Sequence, residues 1–181
     1  MDDKKEKKTF SRRKFISRTA TVAAGISIVP RHVLGGVGYT APSDALNIAG
    51  IGVGGMGAAN LGNITGQNIV ALADVDWKYA AGTFNRYPKA KKYKDYRKMF
   101  DDMSKDIDAV VIATPDHTHA ITAADSMKLG KHVYLQKPLT HSIYESRYLT
   151  QLAKETGVAT QMGNQGHSGE GTRLFAEWIQ N

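Results

Sequence analysis

From residue 45 onward, apolar and polar positions come in blocks. Five short runs are mostly apolar: residues 45–52 (ALNIAGIG), 68–76 (NIVALADVD), 107–115 (IDAVVIATP), 132–136 (HVYLQ) and 158–163 (VATQMG). Runs this short, apolar without strict alternation, predict strands buried on both faces. Longer mixed segments separate them and predict helices over residues 57–64, 77–87, 97–103, 120–129, 143–155 and 168–180, with a polar, tyrosine-rich edge segment at 89–96. Pro88, Gly130 and Gly157 punctuate the boundaries. Strands alternating with helices predict βαβ units and a parallel sheet covered on both faces. Right-handed crossovers then give an α/β, doubly wound Rossmann sheet.

Residues 1–40 break this pattern. Residues 1–19 are polar and basic, and residues 20–30 (ATVAAGISIVP) are small and apolar up to Pro30. About 11 residues is too short for a membrane-spanning helix, which needs roughly 20, but it suits the apolar core of an export signal. Between the two parts lies SRRKFI, residues 11–16, which resembles a twin-arginine signal. The expected organisation is a signal and linker (1–40), a nucleotide-binding domain (41–162) and the start of a second domain (163–181). The signal predicts the twin-arginine export machinery as a partner. It also predicts a periplasmic or periplasm-facing, membrane-anchored location.

Charge follows the same division. Nine of the 24 Lys and Arg and three of the 17 Asp and Glu fall in residues 1–40, so that segment carries +6 and the remainder +1. A nearly neutral globular part offers no basic groove for nucleic acid, so no nucleic-acid partner is expected. With no cysteine in the chain, disulfides, thiolate metal sites and a cysteine nucleophile are excluded.

The chemistry concentrates at strand ends. GVGGMG, comprising Gly52, Val53, Gly54, Gly55, Met56 and Gly57, fits G-x-G-x-x-G directly after the first strand. Gly52 suits the tight turn, Gly54 a close backbone approach to a pyrophosphate, and Gly57 close packing of the following helix. That helix would offer free N–H groups to the phosphates. Asp74, 22 residues after Gly52, ends the second strand, where a carboxylate can accept ribose hydroxyl bonds. An acid there repels a 2′-phosphate, and Lys78 is the nearest cation in sequence, so NAD fits better than NADP. A methyltransferase using S-adenosylmethionine shares the glycine loop and the acid, and these residues alone do not separate the two.

ATPDHTH, residues 113–119, ends the fourth strand at the edge that faces the ligand crevice in a doubly wound sheet. Thr118 or Asp116 could cap the next helix. His117 and His119 have no third ligand at useful spacing, so no metal site is expected. YLQKP, residues 134–138, ends the fifth strand on the same edge. Pro138 disfavours helical backbone at Lys137, which aims the lysine out of the strand end. A cation there can hold a substrate hydroxyl or a developing alkoxide.

Taken with the flanking segments GIGVGGMG, LADVD, VVIATPDHTHA and GKHVYLQKPL, the sequence resembles the Gfo/Idh/MocA oxidoreductases from about residue 46 to 162. The Lys-Pro strand end sets it apart from the methyltransferases. The resemblance implies a Rossmann domain followed by an α/β domain on a large open sheet, and NAD(P)-linked chemistry on a sugar or cyclitol hydroxyl. It places the loop from Gly52 to Gly57 on the pyrophosphate and Asp74 on the adenosine ribose. Thr114, Pro115 and His119 would lie along the nicotinamide side, and Lys137 would contact substrate and assist proton transfer. The family commonly has Glu-Lys-Pro, and Gln136 stands in place of that glutamate. Gln136 can still hydrogen-bond a ribose, but it brings no negative charge beside Lys137.

Residues 163–181 (GNQGHSGEGTRLFAEWIQN) begin the crossing to a second domain, with Asn164 and His167 near the expected substrate position. Members of the family usually draw an Asp/His pair from that second domain. The chain is therefore expected to be an N-terminal fragment, inactive alone, with homo-oligomers open to the full-length form. Three functions remain open: an NAD-dependent dehydrogenase, a glycoside hydrolase or lyase using transient oxidation by NAD, and a non-catalytic NAD-binding module.

Overall fold

The computed structural model describes Ala41 and residues 44–180. The export-signal expectation, residues 1–40, lies outside the described residues. Residues 44–180 form an α/β unit whose six strands are all parallel, in the order β3-β2-β1-β4-β5-β6. The strands are β1 (Asn47–Ile51), β2 (Asn68–Ala73), β3 (Lys91–Tyr93), β4 (Ala109–Ile112), β5 (His132–Gln136) and β6 (Thr160–Gly163). The helices are α1 (Gly55–Gly62), α2 (Ala81–Arg86), α3 (Tyr96–Met103), α4 (His119–Lys128), α5 (Ile143–Thr156) and α6 (Glu170–Gln180). Strand order reverses between β1 and β4, which is where a doubly wound sheet opens a ligand crevice.

The two-sided burial expected of the apolar runs is visible residue by residue. In β4, Val110 and Ile112 pack on one face with Met99 and Phe100 of α3 and Met127 of α4. Val111, between them, joins Leu61 of α1 and Phe84 of α2 on the other face. Leu61, Leu72, Met99 and Ile112 are fully buried, and each such side chain favours folding by about 1.5–3 kcal/mol. The faces are not equally covered. A groove of ≈ 630 Å³ over β4 to β6 is lined by Val111, Val133 and Tyr134 among others, with Asn60 of α1 also on its lining. No residue of α6 is buried, although Phe175, Trp178 and Ile179 are large and apolar.

Helix ends follow side-chain chemistry. Ser142 and Glu145 form a reciprocal capping box at the start of α5, and Gly157 ends that helix at φ 68°, satisfying terminal backbone groups at both ends. The helix expected over 77–87 is shorter, and α2 starts at Ala81. The Asp76 carboxylate accepts bonds from Lys78 N at 3.1 Å and Tyr79 N at 2.9 Å. That local turn competes with helical pairing. Conversely, α1 begins at Gly55 rather than at residue 57: the chain passes from the extended Gly54 through Gly55 at φ 46°, a conformation favouring glycine, into the helix.

Candidate functional site

The glycine loop is a set of close backbone approaches. Gly52 has φ 74°, a conformation favouring glycine, and its N–H donates to Ala73 O at 2.8 Å. A Cβ on Gly57 would lie 1.9 Å from the Gly52 carbonyl oxygen, so α1 can sit this close to β1 only with glycine there. The Gly55 and Met56 N–H groups open the helix, where no intrahelical acceptor is available to them. Val53, within the loop expected on a pyrophosphate, turns its side chain to the core. Its side chain is fully buried, and its carbonyl accepts from Thr83 Oγ1 at 2.7 Å.

Asp74 has a second task beyond the expected ribose contact. Its Oδ2 accepts from Val53 N at 2.7 Å and Gly54 N at 3.2 Å, and its Oδ1 accepts from Asp76 N at 2.9 Å. The carboxylate thus ties the glycine loop to the end of β2. Each carboxylate oxygen has two lone pairs, so Oδ1 retains accepting capacity toward the crevice that Asp74 lines. That crevice, of ≈ 680 Å³, runs along the carboxyl ends of β2, β1 and β4 and takes in Gly54, Met56, Asp74, Thr114 and Pro115.

At the end of β4, the Thr114 hydroxyl is buried without a hydrogen-bond partner. Thr118 precedes α4, but its hydroxyl donates to Pro115 O at 2.7 Å and caps no helix N–H. Of the two histidines in ATPDHTH, His117 is exposed in a short turn while His119 is 1% exposed. The two do not converge on a shared ligand position. His119, expected along the nicotinamide side, has both ring nitrogens against backbone carbonyls. His119 Nδ1 faces Pro138 O at 2.7 Å and Nε2 faces Thr114 O at 2.8 Å. The reason is geometric: as the first residue of α4, its side chain leans back toward the helix start and reaches both loops. It clasps the end of β4 to the loop after β5. His119→Ala is expected to cost about 2–3 kcal/mol of stability, the usual scale for stranding buried hydrogen-bonding groups. Urea unfolding followed by circular dichroism measures this.

At the end of β5, Gln136 is 4% exposed. Its Oε1 accepts from Lys137 N at 3.1 Å, while Nε2 is buried without a partner. Gly163 on β6 leaves room for this amide, because a Cβ there would lie 3.0 Å from Gln136 Nε2. Lys137 itself is exposed, as the strand-end position predicts, and the Lys137-Pro138 peptide is cis. Asn164 and His167 follow β6 on the same edge of the sheet, in and before the turn Gln165–Ser168. They do not line the crevice at the glycine loop.

Among the crevice residues that escaped the sequence reading are Tyr79, Lys94, Tyr96 and Arg97. The last three follow β3. They reach the site because β3 lies beside β2, and Asp74 N donates to Tyr93 O at 3.0 Å. Lys78 is therefore not the sole cation to weigh near Asp74. Arg97 is partly neutralised by Asp95 at 3.2 Å. Burial, then the Asp125 carboxylate accepting its hydroxyl at 2.8 Å, raises the Tyr96 phenol above its ordinary pKa and keeps it a neutral donor. A tally of charges beyond Asp74 in sequence could not find these residues, whereas the strand order could.

The arrangement fits a dinucleotide. A glycine loop with no room for side chains opens a helix, an acid stands across from it, and Thr114, which lines the same crevice, has a buried hydroxyl without a hydrogen-bond partner. The family model described as "Oxidoreductase family, NAD-binding Rossmann fold" (GFO_IDH_MocA) matches residues 46–164. The chain belongs to this Gfo/Idh/MocA family. As a member, it has NAD as its cofactor class.

Among similar proteins, an inositol 2-dehydrogenase of Rubrobacter xylanophilus is 34% identical over 120 residues, covering 64% of this chain and 33% of that protein. A glycosyl hydrolase family 109 protein of Shewanella pealeana is 28% identical over 170 residues, covering 81% of this chain and 37% of that protein. The crystal structure of myo-inositol 2-dehydrogenase from Lactobacillus plantarum shares the fold with a TM-score of 0.68 at 24% identity, over 76% of this chain and 41% of that one. The chain thus spans about a third of the length of the first curated relative it matches.

Proposed function

We propose that this chain is the cofactor-carrying part of an NAD-dependent oxidoreductase that acts on a sugar or cyclitol hydroxyl. The observation that carries the reading is the crevice at the strand-order reversal. It is bounded by the glycine loop and Asp74 on one side and by the unpartnered Thr114 hydroxyl on the other. When bound, NAD supplies a hydride acceptor at nicotinamide C4. In this reading the Gly55 and Met56 N–H groups hold the pyrophosphate, and Asp74 accepts from the adenosine ribose. Thr114 and Gln136 offer polar groups to the nicotinamide half. Lys137 stands where it meets the substrate hydroxyl and its proton, with Asn164 and His167 near the substrate.

Calorimetric titration of the chain with NAD tests this reading. Saturable binding in the micromolar to millimolar range is expected, and no binding at millimolar NAD would end it.

A second reading is favoured by one observation. The similarity to the glycosyl hydrolase family 109 protein extends over more of this chain than the similarity to the inositol dehydrogenase. In that reading bound NAD would supply a reversible hydride acceptor: with a sugar hydroxyl held as the ketone, the neighbouring C–H is acidic, the aglycone would leave by elimination, water would add to the resulting enone, and return of the hydride would leave no net oxidation. With a form of the protein carrying the remaining length of its relatives, net NADH from a free sugar or cyclitol supports the first reading. Glycoside cleavage without net NADH supports the second.

A further inference from the structure

We infer that Tyr79 is a phosphate ligand of the dinucleotide site, its hydroxyl completing the anion berth at the start of α1. This rests on the dinucleotide reading above and adds a residue that the glycine-loop pattern does not contain. The first observation is the surface of the loop itself. A Cβ on Gly54 would lie 2.2 Å from Tyr79 Cδ1 and 2.4 Å from Cε1, and a Cβ on Gly55 would lie 2.5 Å from the Tyr79 hydroxyl oxygen. The ring therefore lies edge-on along the loop, and its hydroxyl reaches the first residue of α1. The room left by these glycines is shared between the ring and any phosphate that approaches.

The second observation is how Tyr79 is held. Asp76 Oδ1 accepts from Tyr79 N at 2.9 Å, and Asp76 N donates to Asp74 Oδ1 at 2.9 Å. Asp74 Oδ2 in turn accepts from Val53 N and Gly54 N. One chain of hydrogen bonds thus sets both the glycine loop and the backbone that carries the tyrosine. The third observation is what the ring lacks. It is 67% exposed, so little apolar burial keeps it there, and its hydroxyl has no hydrogen-bond partner among the described residues. The cations that line the crevice, Lys94 and Arg97, come from the segment after β3 and not from the loop. The donors at the loop are then the Gly55 and Met56 amides and this phenol. A phenol O–H beside two N–H groups at a helix start presents three donors to one anion, and hydrogen bonds to charged groups are the stronger kind.

Calorimetric titrations of the wild-type chain, Tyr79→Phe and Tyr79→Ala with NAD, ADP and adenosine test the inference. Tyr79→Phe keeps the ring against the glycines and removes the donor alone. It is expected to weaken NAD and ADP about tenfold while leaving adenosine unchanged, because adenosine carries no phosphate. Equal ADP affinity in Tyr79→Phe overturns the inference, as does an equal loss for adenosine. Tighter ADP binding by Tyr79→Ala also overturns it, since the ring would then be an obstruction. If the wild type binds neither NAD nor ADP, the dinucleotide reading fails and takes the inference with it. If the wild type binds both and Tyr79→Phe matches it, the inference alone fails.

Discussion

Gly57→Ala is expected to weaken NAD binding by at least about tenfold and to destabilise the fold by about 2 kcal/mol or more, toward the upper part of the range for overpacked sites. The added methyl would sit 1.9 Å from the Gly52 carbonyl oxygen and 3.4 Å from Ala113 Cβ. The nearer atom is backbone, in a residue already held at φ 74° and hydrogen-bonded to Ala73. No side chain can swing aside, so relief requires α1 to move away from β1. That movement takes the Gly55 and Met56 N–H groups out of register with the Asp74 side of the crevice, so stability and affinity fall together. Gly82→Ala is the matching control. Nothing lies within 4 Å of a Cβ there, and the residue is inside α2. Its expected effect has the opposite sign, a gain of about 0.5–1 kcal/mol from lost unfolded-state freedom and better helix propensity, with NAD affinity unaltered. Urea denaturation and NAD titration of both variants provide the measurements. A Gly57→Ala chain with wild-type stability and affinity would show that the close approach of α1 to β1 is not what the site depends on.

This contrast shows which features were legible along the chain. Strands such as β4 were plain, because Val110, Val111 and Ile112 alternate between two apolar faces and none tolerates a polar residue. The glycine loop and Asp74 were legible because a tight turn, a close packing and a strand-end acid each demand a particular residue type at a particular spacing. What was not legible depends on pairings between segments far apart in sequence. His119 reads as a loop histidine facing a ligand, yet its ring nitrogens are taken by carbonyls from the ends of two different strand loops. Lys94 and Arg97 approach the crevice through strand order, which lists of neighbours beyond Asp74 do not contain. The Asp76 turn, which shortens α2 and presents Tyr79 to the loop, is a side-chain choice that helical periodicity does not register. Asp74 was placed correctly at its strand end, but one carboxylate both holds Val53 N and Gly54 N and lines the crevice.

Lys137→Ala, made in a form of the protein that carries the remaining length of its relatives, is expected to reduce turnover by at least about 100-fold, the scale of one positioned proton-transfer group. NAD affinity should be spared. The reason for the split is where the lysine stands. It follows Gln136 at the carboxyl end of β5, exposed, with its backbone N–H held by Gln136 Oε1 at 3.1 Å. It touches neither the glycine loop nor Asp74, so losing its side chain removes nothing that holds the adenosine or pyrophosphate. It shares an edge of the sheet with Thr114, across the loops that His119 clasps together. A substrate carbinol beside the nicotinamide end would meet this ammonium group. Lys137→Arg separates charge from proton transfer. Arginine keeps the positive charge, but at neutral pH it does not release a proton, so substrate KM should recover more than kcat. A structural role for Lys137 would instead lower stability and NAD affinity in both variants. Turnover retained in Lys137→Ala would remove the lysine from the chemistry and leave the substrate proton to another group.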